Sequence, residues 1–381
     1  MRSRARLLAA FPIVFAGLVA LHFSVLRLPY FWDEAGYYVP AALDFYRHGR
    51  LIPHLTQPVG HTPLVSIYLA AVWRLLNFTP LVTRVAMIAM AGAAVVTTYT
   101  LARRVNSREA ATWSALLLAV CPLFFAQSSL VLADLTAAWF TTLAILFIFE
   151  RRLTWFALAA VLAELSKETA IVMLPAVWLF AAVRRRETRP AAWALLVAPV
   201  VPLVAWAFYY HHATGFWTGN AGYLEYNLYS TLAPLHICRS LIARLAEIFV
   251  QGGNWVLVAA AVGGLTWRAR RFGRRGAEPD PGARRGDWAD FEFLAVGLMI
   301  SYVATMSLVG GAVLPRYMLP VFPVFFILAA RGIWSLPASA ARISCVVVAA
   351  VFITAWFINP PYPFPYEDNL AYADYIRLHQ Q

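Results

Sequence analysis

The stretch LTWFALAAVLAELSKETAIVMLPAVWLFAAV, residues 153–183, runs for 31 residues between Arg151-Arg152 and Arg184-Arg185-Arg186. A bilayer core about 30 Å thick takes roughly 20 apolar residues per helical crossing, so two full crossings need about 40. Arginines at both ends place those ends on one side, and the turn between the crossings must therefore lie below the far surface. That turn reads Glu164-Leu165-Ser166-Lys167-Glu168-Thr169, and Lys167 is the only lysine beside 30 arginines. A charge inside the membrane costs at least ~2.5 to 3.5 kcal/mol and by default marks function. The plainer alternative is a local pair of Lys167 with Glu164 or Glu168.

Outward from this hairpin the chain keeps the same character. Of 381 residues, 61% are hydrophobic and only 13% charged, which defines a polytopic membrane protein. The apolar runs have helical length, unlike the alternating ten-residue segments of a barrel. Candidate spans fall near 7–29, 80–102, 109–126, 131–149, 153–165, 169–183, 190–210, 245–267, 290–312, 316–332 and 341–358, about 11 transmembrane helices. The first run exceeds a signal-peptide core and lacks a small-residue cleavage site, so it reads as a retained span. With the N-terminus inside, 21 of the 31 basic residues fall in the inner segments, seven of them between 268 and 285. The positive-inside rule then fixes the orientation. The net charge of +12 is accounted for by topology and anionic lipid, and no nucleic-acid partner is expected. Cys121, Cys238 and Cys345 lie far apart without CxxC spacing, which points to neither a disulfide framework nor a zinc site. The chain divides into a membrane domain, 1–358, and an outer tail, 359–381, where a proline run leads into an amphipathic helix that reads as the start of a soluble domain.

The informative chemistry lies in the outer segments. The large first loop opens with Tyr30-Phe31-Trp32-Asp33-Glu34-Ala35-Gly36-Tyr37-Tyr38 and continues through a surface helix to Gly60-His61-Thr62-Pro63-Leu64. The apolar stretch 63–76 is too short to span comfortably, and crossing there would invert the charge pattern downstream, so it is expected to be an interfacial or partly sunk helix. Two adjacent carboxylates among aromatics, where water is scarce, suit a general base. They also suit a bland role, with Asp33 capping a helix and Glu34 favouring its positive end. Asp134, opening the run 135–149, has the same N-cap alternative. Arg316-Tyr317 follows the Gly/Pro turn 310–315, where a guanidinium fork can hold a phosphate, or can simply snorkel. The outer loop 211–239 adds His211, His212, Trp217, Tyr223, Glu225, Tyr226, Tyr229 and His236, fit for an aromatic belt or for stacking on sugar rings. His61, His211, His212 and Glu225 lack ligand spacing such as HExxH, so no metal site is assigned.

A base at the outer face, nearby cations and a sunken pocket suit attack of an acceptor hydroxyl on a sugar whose leaving group is a lipid phosphate. Between Trp32 and about Arg331 the chain resembles the GT-C superfamily of membrane glycosyltransferases, in the group of bacterial protein O-mannosyltransferases and aminoarabinose lipid A transferases. The likeness rests on WDEAGYY, HTPLVSIYLAAVWRLL followed by TRVAMIAMAGAAVVTTYTLARRV, ADLTAAWF, ELSKETAIVMLP and PRYMLPVFP, in that order. The resemblance implies a GT-C-like all-α bundle in a bacterial cytoplasmic (inner) membrane, with a site facing the periplasm or exterior. It also implies a polyprenyl-phosphate-linked sugar as donor and a glycan, lipid or protein hydroxyl as acceptor. Asp33 would be the catalytic carboxylate with Glu34 supporting it, and Lys167 and Arg316 would lie close to donor phosphate or substrate. His61, Asp134 and Tyr317 complete the expected substrate-binding set. Where relatives carry a lysine before a proline pair, this chain has His61-Thr62-Pro63-Leu64, so His61 or Lys167 would take over that phosphate contact. The Asp-Glu pair is not the DxD of metal-dependent members, so no obligatory cofactor and no obligatory divalent cation are expected.

A transporter is the rival reading, because intramembrane charges also mark ion paths. It predicts inverted repeats and helices broken near the midplane, whereas here the charges gather at the outer end. A non-catalytic membrane scaffold is a third reading, under which Asp33 would be replaceable.

Overall fold

The computed structural model describes residues 2–272, 285–358 and 366–380. The arginines expected inside at 274, 275 and 284 and the proline run at 359–365 lie outside the described residues. Every described regular element is helical. In chain order these are α1 (Arg2–Leu21), α2 (Val39–His48), α3 (Leu64–Leu76), α4 (Pro80–Val105), α5 (Arg108–Val120), α6 (Pro122–Gln127), α7 (Ala133–Phe149), α8 (Leu153–Ser166), α9 (Met173–Val183), α10 (Pro190–Val197), α11 (Val200–Thr214), α12 (Ala221–Leu224), α13 (Pro234–Phe249), α14 (Asn254–Phe272), α15 (Arg285–Leu308), α16 (Phe322–Ile333), α17 (Ala338–Ala355) and α18 (Ala371–His379).

Among the described residues, six helical segments are long and apolar enough to cross a bilayer: Pro80–Val105, Pro190–Thr214, Pro234–Arg271, Asp287–Leu308, Pro315–Ile333 and Ala338–Ala355. Five further apolar helices are shorter, Ala133–Phe149 and Leu153–Ser166 among them. Each of the eleven expected segments contains helix, but several boundaries differ for local reasons. The segment 109–126 is broken at Cys121, which takes φ −58 and ψ 129 ahead of Pro122, because a residue before proline is pushed out of the helical region. The segment 7–29 ends its helix at Leu21 and continues as turns. The segment 245–267 begins early, at Pro234, and is interrupted at Gln251–Gly253, where Gly252 and Gly253 take φ of 60° and 88°. Such values are open to glycine without a Cβ penalty.

The bundle is organised around α7. It is apolar on all sides, with 14 of its 17 residues buried, as a helix surrounded by others must be. It packs on α4, on α8 and on the 3-10 segment Pro315–Val321, while α5 packs on α4 and α16, and α15 on α9 and α13. The segment 63–76 forms the helix α3, which pairs with α2 in the first loop. α18 also docks there: Tyr372, Ala373 and Ile376 share an apolar cluster with Phe31, Tyr38, Val65 and Trp73.

The turn expected at Glu164–Thr169 is built between two short helical segments. α8 has 14 residues, about 21 Å at 1.5 Å per residue, and Lys167 follows it directly in extended conformation. The N-terminus of α7, the C-terminus of α8 and the segment bearing Arg316 all meet at one end of the bundle. The turn at Arg151-Arg152 lies at the opposite end of α7 and α8.

Candidate functional site

Asp33 is presented by a tight turn. Trp32 before it has φ 42, a left-handed conformation that costs a bulky side chain of order 1–3 kcal/mol and persists only where the surroundings enforce it. The enforcing group is Glu34. Its carboxylate accepts from the backbone N–H groups of Phe31 and Val131, both at 2.8 Å, and from both terminal nitrogens of Arg84, at 3.4 and 3.3 Å. Arg84 is wholly buried in α4 and also donates to the carbonyls of Pro29 at 2.7 Å and Ser129 at 3.0 Å. With Glu34 committed inward, the turn leaves Asp33 outward with 38% of its side chain exposed. Asp33 makes no side-chain capping bond to the π-helical turn Glu34–Tyr38, so the helix-cap reading does not hold. Glu34→Ala is expected to lower stability by about 3–5 kcal/mol, since it strands a buried guanidinium; the midpoint of thermal unfolding in detergent checks this.

Asp33 Oδ2 pairs with Arg316 Nη2. The same guanidinium pairs through Nη1 with Glu367 and lies 3.5 Å from Asp134 Oδ2 through Nε. Asp134 Oδ1 in turn accepts from Lys167 Nζ at 2.5 Å. A single connected network thus joins Asp33, Arg316, Asp134, Lys167 and Glu367, and all but Asp33 are nearly inaccessible. Lys167 is therefore paired with Asp134, 33 residues away, and not with Glu164 or Glu168. Asp134 is not an N-cap either: Leu132 holds that position, and Asp134 stands in the first turn of α7. Ion pairs this buried cost more in desolvation than surface pairs and are weak evidence for stability.

Tyr317 lies under the cations. Lys167 Nζ is 4.2 Å from its ring centre, and the guanidinium carbons of Arg244 and Arg316 are 5.3 and 5.7 Å away, within cation–π range. Arg244 is buried on α13, pairs with Glu247, and donates to the carbonyl of Leu314 at 2.8 Å. It thereby fixes the turn that precedes Arg316.

His61 lies beside the network without joining it directly. Its Nδ1 bonds to Glu168 Oε1 at 2.9 Å, one residue from Lys167, and its ring stacks on Tyr38, 5.7 Å between centres and 5° from parallel. Its loop is braced by Trp206 donating to the Gly60 carbonyl at 3.1 Å and by Thr62 donating to the Glu164 carbonyl at 2.9 Å. Gly60 has φ 81, and a Cβ there would come within 2.6 Å of Gly219 N, so the two loops approach as only glycine allows. His211 is engaged elsewhere, stacked on Trp217 with centres 4.1 Å apart.

Sequence reasoning missed Arg84, Arg244 and Glu367. The first had a signal, an arginine inside the expected span 80–102. Arg244 sits one residue before an expected span, three residues from Glu247. Glu367 had none. Burial pushes the Glu367 carboxyl up to about 7 against the pull of Arg316, with Asp33, Asp134 and Glu34 adding to the rise.

Residues 60–210 match the family model of dolichyl-phosphate-mannose-protein mannosyltransferase. The fold is similar to the crystal structure of ArnT from Cupriavidus metallidurans bound to undecaprenyl phosphate, with TM-score 0.66 and 15% identity over 98% of this chain and 68% of that one. The apo form of ArnT from the same organism gives TM-score 0.62 over the same shares at 15% identity. No curated protein matches the sequence. At this identity the structural likeness is one of fold. Together with the family match it bears out the resemblance to GT-C membrane glycosyltransferases drawn from the motifs.

Proposed function

We propose that the chain transfers a sugar from a polyprenyl-phosphate carrier to a hydroxyl acceptor at the extracytoplasmic face of a bacterial inner membrane. The observation that carries this reading is the junction of an accessible carboxylate, Asp33, with a buried guanidinium and ammonium, Arg316 and Lys167. The arginine-rich turns at the opposite end of the bundle support this choice of face.

In the proposed reaction the acceptor oxygen attacks C1 of the sugar and its proton passes to the Asp33 carboxylate. The C1–O bond to phosphate breaks, and the electron pair leaves with the polyprenyl phosphate. That phosphate gains negative charge as it departs, and fixed cations in a water-poor site stabilise the charge without reorganising. Arg316 offers a planar fork to the phosphate oxygens, and Lys167 reaches the same network through Asp134. His61, stacked on Tyr38 and bonded to Glu168, lines the approach in place of a lysine. Tyr317 holds the three cations around its ring.

The positive charge at the phosphate is assigned to Arg316 and Lys167, and no divalent cation is expected to be needed beside them. Chelation with EDTA is expected to leave the transfer rate unchanged; loss restored by magnesium or manganese would overturn that assignment. The reaction itself is tested by offering purified protein a labelled polyprenyl-phosphate sugar and following the label into acceptor, with release of the carrier phosphate.

A further inference from the structure

The charges around Arg316 do not favour an incoming anion. Asp33, Asp134 and Glu367 stand against Arg316 and Lys167, an excess of one formal negative charge whenever Glu367 is ionised, and a phosphodiester donor adds another. Like charges at these separations in a low-dielectric site oppose one another strongly. One carboxylate must give way for a phosphate to reach the guanidinium fork.

The three are not equivalent. Asp134 is locked by Lys167 at 2.5 Å within the first turn of α7. Asp33 pairs with Nη2 and is the proposed base. Glu367 comes from outside the spans, on the 3-10 turn Tyr366–Asp368. Its backbone is held: Gln127 Nε2 donates to its carbonyl at 3.1 Å, Asn369 donates to the Ala355 carbonyl at 3.1 Å, and Tyr372 bonds to Ser129 at 2.9 Å. The side chain's one partner among the described hydrogen bonds is Arg316. A fixed backbone with a carboxylate arm tied only to the guanidinium is the arrangement of a replaceable counter-ion, and the raised titration range of that carboxyl agrees with weak retention of its charge.

We propose that Glu367 occupies the phosphate seat on Arg316 Nη1 in the empty protein, yields it to the polyprenyl-phosphate sugar, and reclaims it to expel the polyprenyl phosphate product. The inference rests on Arg316 as the phosphate-binding group. It gives Glu367 a kinetic role without contact with the reacting carbon. The donor is a phosphodiester with one charge, whereas the product is a phosphomonoester approaching two, so the product is the tighter anion and the one that needs a competitor to leave.

The experiment measures binding of polyprenyl phosphate, the product itself, to full-length wild type, Glu367→Gln, Glu367→Ala and Arg316→Lys in lipid nanodiscs, together with kcat and KM for each. Removing the competing carboxylate is expected to tighten product binding about tenfold in both Glu367 variants, with kcat and KM falling together as release becomes limiting. A carboxylate that merely positions Arg316 gives the opposite sign, weaker binding with KM unchanged or raised. Weaker or unchanged binding in both Glu367 variants, while Arg316→Lys loses binding, overturns the inference and leaves the reading of Arg316 standing. Wild type that fails to bind, or Arg316→Lys that binds as well as wild type, overturns both.

Discussion

Asp33→Asn is expected to lower sugar transfer by about 10²–10⁴-fold, the contribution of a positioned general base, while the protein stays folded and in the membrane. The substitution keeps the shape and removes the ability to accept the acceptor proton. Its structural cost is small for two reasons visible around the residue. Asp33 is the most exposed member of the network, at 38%, so the amide that replaces its carboxylate still reaches solvent. Arg316 also keeps Asp134 and Glu367 as counter-charges, so no buried cation is stranded. Transfer rate at saturating donor, measured beside the thermal unfolding midpoint, separates the two effects. Near-normal transfer would assign the base elsewhere; a large loss of midpoint would make Asp33 a structural residue.

Arg316→Lys is expected to lower kcat/KM by about 10²–10³-fold, the scale seen when one fixed donor to a developing oxyanion is removed. Lysine keeps a positive charge among Asp33, Asp134 and Glu367 but loses the planar fork whose separate nitrogens face the three carboxylates, an arrangement a point charge cannot reproduce. Arg316→Ala goes further, leaving three carboxylates with Lys167 alone. Breaking a buried pair this way costs about 3–5 kcal/mol, so the alanine variant is expected to lose folded protein as well as activity. The lysine variant therefore isolates the chemistry. If it transferred sugar like wild type, charge alone would suffice and the phosphate would sit elsewhere.

Part of this arrangement is legible in the amino-acid sequence. A short hairpin turn followed from counting 31 residues against two crossings, and Lys167 stood out as a lone amine at its tip. α4 and α7 followed from the length and apolarity of their runs. Partners were not legible, because ion pairs join elements far apart in sequence: Lys167 finds Asp134 across 33 residues and Arg316 finds Asp33 across 283. The helix-cap alternatives for Asp33 and Asp134 rested on local propensity, and tertiary charge pairing overrode it. The residues themselves did not tell Glu34 from Asp33, and only the family resemblance gave them different roles; the positions of Arg84 and Val131 turn one carboxylate inward and leave the other out. The break at Cys121 was available from the proline that follows it, whereas the docking of α18 on the first loop was not, since nothing local announces which apolar face a short amphipathic helix will cover.

The decisive measurement is transfer of label from a panel of radiolabelled polyprenyl-phosphate sugars by purified protein in liposomes, with the Asp33→Asn protein alongside. At least one donor is expected to lose its sugar to a hydroxyl acceptor and release polyprenyl phosphate, and the variant should leave that donor intact. A panel in which no donor is consumed, or one consumed equally by the variant, would contradict a carboxylate and a guanidinium working together on a lipid-linked sugar.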